Sequence, residues 1–131
     1  MKVEKRLLKY IAIKTPCDEN SDTVPTSQCQ FDLARILADE LKELGLDKVV
    51  LDDKCFVYGI LAATPGYENK KKLGLIAHMD PVPEFCEAEI HPVCTPDYDG
   101  CDLVLGDSGR VLTPKDFPHL KGLKGRTLIT S

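Results

Sequence analysis

The sequence predicts an α/β layer structure, with α+β as the alternative the pattern leaves open. Three observations carry this. Two apolar stripes at helical spacing precede Gly45, two short β-branched or aromatic runs follow over 48–53 and 55–62, and "LGLIAH" (73–78) is an almost continuous apolar run. The chain has 131 residues, enough for a single domain with a core of its own.

The first helix is expected over residues 3–14. Val3, Leu7 and Ile11 lie four apart and form one stripe, while the lysines fall mostly on the other side. Pro16 biases its predecessor away from helix and ends the element. Residues 15–26 are polar, contain two prolines and read as a loop. A second helix begins near Ser27, with Ser27 and Gln30 spaced as a capping box. Leu33, Leu37, Leu41 and Leu44 supply its apolar stripe. Asp39, Glu40, Lys42 and Glu43 are expected to face water, and Gly45 stands where a left-handed C-terminal cap is needed.

"KVVLDD" and "CFVYGILA" then read as two strands of a hairpin, and "ATPGYENKKK" as a turn or loop. The run 73–78 reads as a strand buried on both faces, with Leu75, Ile76 and Ala77 inside. Beyond Asp80, Pro81, Pro83, Pro92 and Pro96 forbid long regular elements. "CDLVLG" (101–106) and "RVLT" (110–113) look like short strands around a tight turn at Asp107-Ser108-Gly109. Thr113 can cap a short helix with Pro114 at its first position, and "RTLITS" (126–131) alternates like a strand. A strand there without a covering helix leaves an edge open, so self-association through that edge is expected.

The net charge of −4 argues against a nucleic-acid partner, which calls for a basic face. Lys70-Lys71-Lys72 is a solvated turn on this reading. No window is long and apolar enough for a membrane span, and "MKVEKRLLKYIAIKTP" is interrupted by charge where a signal peptide would be apolar. A cytoplasmic location follows as the default. Cys17, Cys29, Cys55, Cys86, Cys94 and Cys101 then read as reduced thiols, with none in a C-x-x-C pair that would mark a zinc knuckle.

The chemistry of the chain concentrates in "LGLIAHMD". Side chains alternate along a strand, so His78 and Asp80 would share one face at its carboxyl end, where α/β sheets bind ligands. A neutral imidazole binds zinc through one nitrogen, and a carboxylate at the other nitrogen fixes its tautomer. The plain alternative is a capped strand end with a solvated histidine. His91 and His119 read as structural or exposed. Glu84, Glu87 and Glu89 fit no pattern of a catalytic base. "GDSGR" around Ser108 echoes a serine-protease string, but lacks partners arranged for a triad and reads as a turn.

Four stretches resemble the peptidase T branch of the two-zinc exopeptidases, relatives of aminoacylase and carboxypeptidase G. They are "LLKYIAIKTPCDE", "VPTSQCQFDLARILADELKELGL", "LGLIAHMDPVPEF" and "VLTPKDFPHLKGLKGRTLITS", and the likeness runs from residue 1 to residue 131. The resemblance implies the first part of a zinc-exopeptidase-like mixed sheet flanked by helices, incomplete within residues 1–131. It implies a tripeptide aminopeptidase acting on small peptides with two zinc ions. His78 is the metal ligand on this resemblance, and Asp80 is the catalytic residue that orients it. Pro81 departs from the family, which has threonine or another small residue there. The bridging aspartate, the glutamates that include the general base, the further ligands and the lid domain of complete members have no counterpart here. The expectation is therefore an N-terminal segment, inactive alone. A non-catalytic α/β module acting through protein–protein contact, or a hydrolase of another kind, are the rival readings.

Overall fold

A computed structural model of the chain describes residues 2–83 and 90–131. The chain divides into two compact units: Met1–Leu8 with Glu89–Ser131, and Lys9–Ala88. Its elements run α1 (Val3–Ile11), α2 (Gln30–Glu43), β1 (Asp47–Leu51), β2 (Val57–Ile60), β3 (Val93–Thr95), β4 (Leu103–Leu105), β5 (Arg110–Leu112), a 3₁₀ helix (Pro118–Leu123) and β6 (Leu128–Thr130).

Helix α2 organises the unit Lys9–Ala88. Gln30, Leu33, Ala34 and Ala38 are buried, with Leu37 and Leu41 half-buried on the same side, a spacing of three and four. This face packs on β1 and β2. Leu44, expected in the stripe, is exposed at the helix end instead. The helix closes as a Schellman motif. Gly45, at φ +80°, donates its N–H to Lys42 O at 2.9 Å, and the Leu46 N–H reaches Leu41 O at 3.1 Å. A Cβ on Gly59 of β2 would stand 2.8 Å from Leu46 Cδ2 and 3.3 Å from Leu41 Cδ1, so the capping leucines lie directly over the hairpin.

Two expectations for α2 are corrected. The capping box does not form: Cys29 is the N-cap, without a side-chain cap bond, and the Gln30 amide reaches back to Pro16 O at 3.2 Å. The side chain is thus turned toward a loop carbonyl, with its amide nitrogen as donor, and not toward the helix terminus, where the box would have used its amide oxygen as acceptor. Glu40 does not face water. It is buried, receiving Lys9 Nζ at 2.7 Å and the Tyr10 hydroxyl, and these partners make burial of the carboxylate tolerable. Helix α1 ends at Ile11, short of the expected residue 14, and contains no buried residue.

The β1–β2 hairpin forms as expected, antiparallel with Leu51 opposite Val57 and an irregularity between Asp47 and Val50. Its turn runs from Asp52 to Phe56. Asp52 Oδ1 accepts the N–H groups of Lys54 and Phe56 at 3.0 and 2.8 Å, and Cys55 occupies a left-handed position at φ +68°.

The unit containing Glu89–Ser131 holds two small antiparallel ladders, β3 with β6 and β4 with β5. The β4–β5 hairpin confirms the turn reading of "GDSG": Ser108 Oγ donates to Leu105 O at 2.6 Å and accepts the Arg110 N–H at 3.2 Å. Thr113 Oγ1 accepts the Asp116 N–H at 3.1 Å, but the turn it caps yields after one cycle to the 3₁₀ helix. Strand β6 is half-buried and paired on one edge with β3, Val93 opposite Thr130, in a two-stranded ladder; β3 was hidden between Pro92 and Pro96. Tyr98, Leu103 and Leu120 make the core, flanked by Leu112, Leu123 and Leu128. The Tyr98 hydroxyl donates to the Cys101 carbonyl, and burial, with the nearby charges of Asp99, Cys101 and Asp102, raises its pKa.

The largest correction concerns 73–78. It is no strand among the described residues, and Leu75 and Ile76 are 89% and 100% exposed, Ala77 likewise being exposed. A strand apolar on both faces is stable only with neighbours on both edges and a layer over each face. Among the described residues no strand flanks it. Among the described residues the sheets are three separate two-stranded ladders. The result is a small mixed α/β structure with short helices and antiparallel pairs.

Replacing Gly45 by Ala forces a Cβ into the left-handed region; a lower urea midpoint, equivalent to about 1 kcal/mol, is expected. Burial first, then Asp52, pushes the Cys55 thiol above its ordinary range, with Arg35 opposing. A raised folded pKa means this thiol's contribution is intact below the ordinary thiol pKa. The contribution is lost as pH rises through the folded value. Iodoacetamide at pH 8 is therefore expected to label exposed Cys94 and Cys101 before Cys55, as mass spectrometry of the peptides would show.

Candidate functional site

The backbone enters the site from an exposed loop. Residues 61–78 carry no helix or strand, with a turn at Thr64–Tyr67 and the Lys70-Lys71-Lys72 run exposed as expected. His78 and Asp80 then come together as their spacing predicts: Nδ1 stands 3.4 Å from Oδ1. The contact is long for a hydrogen bond, and the side chains are 84% and 42% exposed. Solvent screens such a pair, so its geometry is set by the backbone more than by its own attraction. With Nδ1 turned to the carboxylate, Nε2 is the ring nitrogen left toward solvent.

The backbone beside the pair is held. Thr15 Oγ1 donates to Met79 O at 2.9 Å, and the Cys17 N–H donates to Pro81 O at 3.5 Å. Pro16 between them accepts from Gln30 Nε2, which also reaches Thr26 Oγ1 at 3.4 Å. Thr15 and Gln30 are 3% and 8% exposed. The sequence reading missed both. It assigned Thr15 to a polar loop and Gln30 to a cap. The available signal was Thr15 before Pro16, which holds Thr15 extended and so gives its hydroxyl a fixed direction.

His119 is exposed, its ring edge-on to Phe117 with centroids 6.2 Å apart, and His91 is exposed on a loop. Ser108 is a turn residue. Glu84, Cys86, Glu87 and Glu89 lie outside the described residues. Among the described residues no three of His, Cys, Asp and Glu stand together as a metal-binding group. His78 with Asp80 therefore suits one zinc ligand with its orienting carboxylate and falls short of the three protein ligands of a catalytic zinc. A shallow cleft of about 230 Å³ between α2 and β1 is lined by Arg35, Ala38, Asp39, Lys42, Val49 and Leu51, not by the pair. Its Arg35 and Lys42 are engaged with Asp32 and Asp39 at 2.9 and 3.0 Å. No helix among the described residues is long and apolar enough to cross a membrane.

Hydrogen exchange checks the 73–78 finding: Leu75, Ile76 and Ala77 amides are expected to exchange at nearly unstructured rates. Protection beyond about 100-fold there would show strand pairing.

The chain is similar to several curated proteins. It is 42% identical over 132 residues to Peptidase T of Alkaliphilus oremlandii, a match covering 97% of this chain and 32% of that protein. Peptidase T of Caldanaerobacter subterraneus subsp. tengcongensis is 44% identical over 133 residues, covering 99% and 32%. Peptidase T of Geobacillus kaustophilus is 41% identical over 128 residues, covering 97% and 31%. No protein-family model matches the chain. Over nearly its whole length the chain is thus similar to proteins named Peptidase T, and it spans about a third of the length of these relatives.

Proposed function

We propose that residues 1–131 are an N-terminal portion of the catalytic domain of a peptidase T-type zinc aminopeptidase, which in complete form releases the N-terminal residue of tripeptides. The observation that carries this reading is identity of 40–44% to proteins named Peptidase T along 97–99% of the chain. The His78-x-Asp80 contact supports it. The zinc-exopeptidase sheet and the cytoplasmic setting belong to the same proposal.

Each residue has a defined part. His78 would offer Nε2 to the metal while Asp80 accepts from Nδ1–H, fixing the tautomer that leaves Nε2 with a free lone pair. Zinc, when bound, supplies Lewis acidity toward a peptide carbonyl and lowers the pKa of its water. One imidazole does not hold a catalytic zinc against bulk water, so the chain alone is inactive on this reading. Leu73, Leu75 and Ile76, all strongly exposed, give the chain apolar surface for self-association, which light scattering measures. The same surface favours the rival reading of a non-catalytic module working by protein contact.

The test is complementation. The purified chain with zinc is expected to show no tripeptide hydrolysis. Adding the part of the Alkaliphilus relative that this chain does not match is expected to restore turnover. In that complex His78→Ala should abolish activity, and Asp80→Asn should lower it about 10–100-fold. Zinc-dependent turnover by the chain alone, lost in His78→Ala, would overturn the reading of an incomplete site.

A further inference from the structure

We infer that Thr15 and Gln30 are positioning residues for the His78–Asp80 pair, acting through the backbone at Met79. This rests on the reading of His78 as a ligand and Asp80 as its orienting carboxylate. The two side chains are too exposed to be fixed by packing, and their 3.4 Å contact is too long to fix itself. The preceding segment 73–78 has no strand partner among the described residues. What remains is the main chain from Met79 to Pro81. It is held at Met79 O by the Thr15 hydroxyl, at Pro81 O by the Cys17 N–H, and at Pro81 by the ring's own limit on φ.

Thr15 is itself directed from behind. The residue is 3% exposed, and its hydroxyl bonds the residue midway between the ligand and its orienter. Gln30, 8% exposed and in the first turn of α2, donates to the carbonyl of Pro16, the next residue along. A path of hydrogen bonds and peptide units therefore runs from the best-packed helix of this unit to the peptide that carries the pair. The Gln30 amide nitrogen makes this link, and the same nitrogen reaches Thr26 Oγ1 at 3.4 Å. Two buried polar side chains aimed at loop carbonyls cost desolvation unless those bonds form, so the loop geometry is selected strongly.

Imidazole nitrogen spectra of the full chain test this at pH 8, above the ordinary histidine range. In the wild type the tautomer with the proton on Nδ1 is expected to dominate at His78, and Asp80→Asn is expected to erase the preference. Thr15→Val is expected to reduce the tautomer ratio about threefold, as loss of one orienting hydrogen bond would. Thr15→Ser, which keeps the donor, is expected to restore it. Gln30→Met is expected to shift it in the same direction as Thr15→Val, and decides the matter alone if Thr15→Val does not fold. A ratio unchanged in folded Thr15→Val and Gln30→Met, but erased by Asp80→Asn, overturns the positioning role and leaves the His78–Asp80 reading standing. A ratio unmoved by Asp80→Asn overturns that reading, and the inference with it.

Discussion

Burial of Leu33, Ala34 and Ala38 against the β1–β2 hairpin is the interaction on which the rest of the unit Lys9–Ala88 depends. It fixes the helix, and the helix then presents polar groups from its flanks. Glu40 accepts from Lys9 and Tyr10; Gln30 donates to the carbonyl of Pro16; Leu41 and Leu46 close over Gly59. Each of these is a modest contribution by itself, on the order of 1 kcal/mol for a hydrogen bond. Their value lies in being referred to one rigid element, so that loop 15–17 and the residues after His78 inherit its position.

Features decided by neighbouring residues were legible in the sequence. The β4–β5 turn follows from Gly106, Asp107, Ser108 and Gly109, whose backbone freedom and hydroxyl chemistry operate within four residues. Gly45 as a left-handed cap is equally local. His78 and Asp80 meet as near neighbours, although the strand expected to carry them is absent among the described residues. Features decided by distant residues were not legible. Nothing in "QFDLAR" says that Gln30 will answer Pro16, and nothing in "ADEL" says that Glu40 will find Lys9. In the β3–β6 ladder the 126–131 strand was legible, but its partner β3, three residues between Pro92 and Pro96, was too short to announce itself.

The segment 73–78 shows the same division from the other side. Its composition describes the surroundings such a strand needs, and composition cannot supply them. An apolar run reads as buried because in a packed sheet it is. Whether it is buried in a given chain depends on strands and helices contributed elsewhere. Here the chain matches about a third of the length of its relatives, and among the described residues the run stands open.

The Schellman closure of α2 also has a kinetic meaning. Because Gly45 and Leu46 turn the chain straight from helix into β1, the contacts of α2, β1 and β2 all close over short loops, from Gln30 to Ile60. Low contact order of this kind makes for fast, early assembly, since little loop entropy is lost before packing rewards it. The β3–β6 ladder, which must bring Val93 to Thr130, is the slower partner. On a ribosome, the helix–hairpin unit can therefore be complete before the last strand has been synthesised, and the loop that carries His78 emerges next to a scaffold already formed.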